Sequence, residues 1–182
     1  MNPMPLLDLI ARHESENAAA RQGVSSGYDV VVEQASRAYP PKKPITTMTV
    51  SDVLNWQREA IAETKQVYGS GYSAAGRYQV IRKTLQSLGV SGKALFDKET
   101  QDAIGTVLLY RRCWGLWIEG KLSTAAFADN LSKEWASLPY HTGRSYYDKD
   151  AHGNRSLVSR EEVLQVLNNI RNQHISGGSR EL

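Results

Sequence analysis

Few side chains in this sequence pair a reactive group with a setting that would put it to use, and Glu14 is the first of them. Leu6, Ile10 and Glu14 recur every four residues, flanked by Leu7 and Leu9, so on a helix the carboxyl prolongs an apolar stripe. A carboxylic acid donates a proton near neutral pH only where apolar surroundings keep it neutral, and glycosidic cleavage demands such a donor at the bridging oxygen. Pattern alone favours a plainer reading, a half-buried glutamate satisfied by backbone or arginine. Its neighbour Glu16 reads as a solvated loop residue. A two-carboxylate scheme needs a second acid, as nucleophile or as base for water. Asp29 is the good candidate for that role, although capping a turn is the better reading of it.

Other chemistry finds little support. Asp148-x-Asp150-x-His152-Gly153 opens like a calcium loop, but His152 occupies its fifth position and Ser159 the twelfth, where a bidentate glutamate is required. His13, His141, His152 and His174 lack zinc-ligand spacing, and Cys113 is the one cysteine, so neither metal nor cofactor is expected. Cys113 falls in the apolar run 106–118 and reads as a buried structural thiol. Glu119, Glu134 and the Arg111-Arg112 pair read as solvated helix charge.

These residues need a frame. The 182 residues, 41% of them apolar, suit one domain spanning 1–182, with 175–182 a frayed tail. Lys and Arg number 22 against 19 Asp and Glu, a net charge of +3, and without a basic stripe this argues against nucleic acid as partner. No apolar run approaches the ~20 residues of a membrane-spanning helix, and the N-terminus lacks the marks of a signal peptide, so stable membrane insertion is not expected. A first helix should start after Pro5. Tyr28–Glu33, rich in β-formers, predicts a short strand, followed by an irregular loop holding Pro40, Pro41 and Pro44. Thr49 and Asp52 signal a helix through about Val67, ended by Gly69-Ser70-Gly71. Tyr78, Ile81, Leu85 and Leu88 predict another over roughly 75–88, stopped by Gly89. Asp97 can cap a helix reaching Trp117. Ser123 can cap one carrying Phe127, Leu131 and Trp135 inward, and Ser159 with Glu162 a last one. The fold class is α+β, mostly α, with a small β element near the front.

Four short blocks then stand in a telling order: His13-Glu14-Ser15-Glu16; Gly27-Tyr28-Asp29; Ser73-Ala-Ala-Gly76-Arg77-Tyr78-Gln79; and Trp135-Ala-Ser-Leu-Pro139. With Leu88-Gly-Val through Gln101-Asp-Ala-Ile104 they resemble the landmarks of the bacteriophage lambda endolysin family over about residues 6–139. The resemblance implies a lysozyme-like fold with a cleft and a lytic transglycosylase acting on the glycan strands of peptidoglycan. The bond cut is the β-1,4 link between N-acetylmuramic acid and N-acetylglucosamine, with a 1,6-anhydro product. By position before Gly-Tyr-Asp, the family's essential glutamate is Glu14. The family also carries an aspartate where Asp29 stands, so Asp29 does not by itself imply hydrolysis.

The resemblance extends to substrate contacts. Tyr28 and Asp29 join the substrate-binding set, and Tyr78 and Gln79 match a cleft-facing pair, although Tyr78 also lies on the apolar face with Ile81 and Leu85. Trp135 reads as structural, with Ser137 reaching substrate. Tyr147, with Tyr146, lies beyond the matched region as an aromatic rim for sugar stacking. The protein would be a monomer made in the host cytoplasm and acting in the periplasm or on the wall, once a separate protein opens the membrane. The proline loop and the segment after Pro139 depart from the family. Alternatives are a water-using muramidase on the same fold, and a virion-associated wall-degrading or wall-binding domain.

Overall fold

A computed structural model describes residues 1–149 and 155–178, with side chains through residue 174. The chain divides into two compact units, Met1–His13 with Gly105–Leu182, and Glu14–Ile104. Among the described residues the structure is helical, and no strand forms.

In the first unit, α1 (Met4–Ala11) begins with Pro at its opening turn and buries Leu6, Leu7, Leu9 and Ile10. It packs on α9 (Arg160–Gly178), whose Val163, Leu167 and Ile170 are buried. Ser159 caps α9, accepting the Glu162 amide at 3.1 Å as its spacing foretold. Next to α9 lies α8 (Thr124–Ser132), capped by Ser123 through the Ala126 amide. The helix expected to run on to Trp117 is broken. α6 (Lys98–Arg111), of which only 105–111 belong to this unit, ends before Cys113, which takes a left-handed φ of 74° and starts α7 (Trp114–Ile118). Cys113 is therefore half-buried rather than buried. Trp117 stacks on Phe127 with ring centroids 5.0 Å apart, and Trp114 closes the cluster. Arg112 and Glu134 pair at 2.6 Å, and Glu134 is only 12% exposed, so these are not the solvated charges that the sequence suggested.

In the second unit, α2 (Asn17–Gln22) ends on Gly23, and α3 (Glu33–Ala38) packs on α4 (Val50–Tyr68). α4 matches its expected span. Thr49 and Asp52 form the reciprocal capping box, and Gly69 closes the helix in the left-handed conformation. Its buried face presents Val53, Trp56 and Ala60.

The expected strand at 28–33 is absent. Gly27–Asp29 forms a 3-10 turn, α3 begins at Glu33, and the valines between them make only an isolated bridge, Val31 to Ala75. Three β-branched residues are too few to pair further once Glu33 starts a helix. The helix expected over 75–88 is also cut back, to α5 (Arg82–Ser87). Ahead of it Gly76 and Gln79 take φ of 77° and 48°, and Ala75 bridges Val80 across a tight turn. Tyr78 and Ile81 thus share no helical face: one is 2% exposed and the other 48%. The frayed tail proposed for 175–182 falls partly on residues 179–182, which lie outside the described residues, as do Asp150, His152 and Gly153 of the declined calcium loop.

Candidate active site

Glu14 sits in a π-helical turn, Arg12–Glu16, that continues α1 into α2. A π turn carries one residue more than the α-helix it interrupts, and such insertions recur at functional sites because they re-aim side chains. Two neighbours fix this one. Buried Ser15 donates its hydroxyl to the Arg77 carbonyl at 2.8 Å, and Glu16 accepts the Gly27 amide at 3.1 Å. Close approach is why residue 27 is glycine, since a Cβ there would stand 2.5 Å from Ser15 Oγ and 2.8 Å from Glu16 Cδ. Glu16 also pairs with Arg77 Nε at 3.3 Å, so this residue, exposed as expected, is a structural tie in a helical turn rather than part of a loop.

Half-buried Glu14 lines a groove of about 360 Å³, within the range of small-ligand sites. One wall is apolar, from Ala18 and Val30 to Val32. Its backbone is clamped by Gln22, whose amide nitrogen donates to the Val31 carbonyl at 2.6 Å and whose oxygen accepts the Val31 amide at 3.2 Å. Gln79 lines the same groove. Its nitrogen donates to the Gly76 and Val30 carbonyls, at 2.9 and 3.2 Å, which leaves the amide oxygen as the end able to accept from a ligand. The Gly76 amide binds the Val30 carbonyl at 2.7 Å and completes the tie between this turn and the wall. Arg21, Glu33 and Arg37 supply charge to the lining, the latter two paired across one turn of α3.

A polar network holds the Gly76–Gln79 turn from behind. The Arg77 amide donates to Gln101 Oε1 at 2.8 Å, and its guanidinium donates to the Tyr78 hydroxyl at 2.9 Å and stands 3.6 Å from Asp102. Asp102 accepts the Tyr78 hydroxyl at 2.6 Å and the Tyr28 hydroxyl at 2.9 Å. The Arg77 guanidinium also lies over the rings of Tyr28 and Tyr78, at 5.1 and 5.5 Å. Burial, and next the hydrogen bond to Asp102, push the Tyr28 phenol up to about 12. The same two causes raise Tyr78 further. Both therefore remain neutral donors to Asp102 at any physiological pH.

The site residues named from sequence thus separate into groups. Glu14 and Gln79 share the groove. Tyr28 and Tyr78 converge on Asp102, where Tyr78, 2% exposed, has no ring face left for a sugar. Asp29 lines an adjoining cavity and accepts the amide of Thr46, 17 residues further along, at 2.9 Å. Ser137 and Tyr147 belong to the other unit, Ser137 buried and Tyr147 donating its hydroxyl to the Lys133 carbonyl at 2.7 Å. Sequence reasoning missed Arg21, Glu33, Arg37 and Asp102. The first three lie on exposed helix faces that resemble any others until the groove is folded, and Asp102 meets its partners only across 24 and 74 residues.

A family model described as Endolysin matches residues 4–160. No curated protein and no solved structure is similar enough to the chain to match it.

Proposed function

The chain belongs to the endolysin family, phage enzymes that degrade bacterial peptidoglycan, and from that premise we propose that it is a lytic transglycosylase with Glu14 as its acid and base. The neutral Glu14 carboxyl protonates the oxygen bridging the two sugars as the bond from that oxygen to the muramyl C1 breaks. The carboxylate left behind takes the proton of the muramyl C6 hydroxyl, whose oxygen bonds to C1 and closes a 1,6-anhydro ring. Glu14 is restored and no water is consumed. Gln79, held by Val30 and Gly76, offers its amide oxygen to a sugar hydroxyl or N-acetyl N–H. Tyr28, Tyr78 and Arg77 act behind the groove and position its turn.

The observation that carries this reading is that Glu14 lines a groove that Asp29, the candidate second carboxylate, does not line, being engaged by the Thr46 amide in the neighbouring cavity. One observation favours a second reading: Glu33 lines the same groove as Glu14, so a water-using muramidase would have a second carboxylate to hand once Arg37 released it. The enzyme acts on the wall as a monomer, after synthesis in the host cytoplasm and opening of the membrane by another protein. Among the described residues no helix is long and apolar enough to cross a membrane by itself.

Glu14→Gln keeps the shape and removes the proton. We expect an unchanged melting temperature and a loss of at least about 100-fold in clearing of cell-wall suspensions, in line with the usual worth of a general acid. Near-normal clearing would overturn the assignment. Mass spectrometry of wall digested by the native enzyme separates the two readings, since ring closure leaves anhydro ends and hydrolysis leaves reducing ends.

A further inference from the structure

The Glu14 groove shares part of its wall with a neighbouring cavity. Gln22, Val31 and Ser36 also line a second cavity of about 260 Å³, floored by Ile45 and edged by prolines of the 40–44 loop. That cavity in turn shares Pro40 and Lys43 with a third, of about 470 Å³, walled by Tyr39, Met48 and the α4 residues Asp52 and Trp56. The three cavities thus follow one another through shared walls within the second unit.

Its charges are unevenly occupied. Each carboxylate beyond the Glu14 groove is already used: Asp29 by the Thr46 amide, Asp52 by the Thr49 cap, Glu59 by the Tyr39 hydroxyl. Lys42 and Lys43 are exposed and form no hydrogen bond or ion pair among the described residues, Lys43 reaching Asp52 only as a weak Coulomb attraction. Trp56 is locked by its indole N–H to the Tyr39 carbonyl at 3.0 Å, and the prolines have fixed φ, so an extended chain would meet a surface that needs little ordering. A short apolar wall crowned by two uncommitted cations complements a short peptide with small side chains and free carboxylates.

Such a peptide is attached to the substrate. We propose that the track from Pro40 to Trp56 binds the acidic stem peptide that a muramyl residue carries while its glycan strand lies beside Glu14, with Lys42 and Lys43 receiving the carboxylates. This rests on the peptidoglycan reading above, and it makes stem-bearing strands the preferred substrate over bare ones.

The test compares intact peptidoglycan strands with the same strands freed of stems by amide hydrolysis, using the native enzyme and Lys42→Gln/Lys43→Gln. We expect a KM about five-fold lower for stem-bearing strands, a preference that shrinks with added salt. The double variant, with unchanged melting temperature and unchanged kcat, should lose that preference and behave normally on bare strands. Equal weakening on both substrates, or a preference untouched by the substitutions, would overturn the proposal. Titration of the free stem peptide, followed by the Trp56 indole NMR signal, decides the matter separately from catalysis. If the native protein cleaves neither substrate, the catalytic reading falls. The stem-peptide site then stands on a shift that the double variant abolishes, and falls with an unmoved signal.

Discussion

Arg77 shows how much of the site rests on a residue outside the groove. Eleven per cent exposed, it meets Glu16 and Asp102 with its guanidinium and Ser15 with its carbonyl, so one residue joins the turn bearing Glu14 to the turn bearing Gln79. The tyrosines of this cluster make it sensitive to alkali. Tyr28 loses its proton near 10 in an unfolded chain and only at about 12 when folded, so between these values the unfolded state binds fewer protons. Stability from this source is complete below pH 10 and drains away as pH rises through 12, and Tyr78 acts in the same direction. Urea midpoints taken from pH 9 to 11.5 should therefore fall, and Tyr28→Phe should flatten the fall. An equally steep decline in that variant would show that other groups dominate.

Among the elements, α4 is the best specified. Thr49→Ala removes the acceptor for the Asp52 amide and should cost about 1 kcal/mol, measured as a shift in urea midpoint with the slope preserved. Caps of this kind are local, which is why α4, α8 and α9 were legible from residues a few positions apart. What failed to show in the sequence was decided by distant partners. Val30, Val31 and Val32 carry strand propensity, yet their backbone groups go to Gly76, Gln22 and Ala74. Tyr78, Ile81 and Leu85 carry helical spacing, yet the positive φ of Gly76 and Gln79 turns the chain before a helix can start. The place of Glu14 at the end of an apolar stripe was readable. That its partner in the groove would be Gln79, and that Arg21, Glu33 and Arg37 would join them, depends on contacts that no local pattern encodes.

At the scale of the whole molecule, the division into units is also a division of sequence range. Glu14–Ile104 is continuous, whereas the other unit takes its first helix from one end of the chain and the rest from beyond residue 104. Leu167, fully buried on α9, anchors that second arrangement. Leu167→Ala should cost about 3 kcal/mol, seen as earlier hydrogen exchange in the amides of α1 and α9; unchanged exchange there would mean that the helix pair is held by other means. Arg12 and Glu162, 3.5 Å apart, are separated by 150 residues of chain. During translation, then, the segment that bears the groove leaves the ribosome as one continuous stretch, while α1 must wait for α9 to emerge. A nascent chain stalled before residue 160 would hold its opening helix, five buried apolar side chains and all, as an unsatisfied surface open to chaperones and proteases.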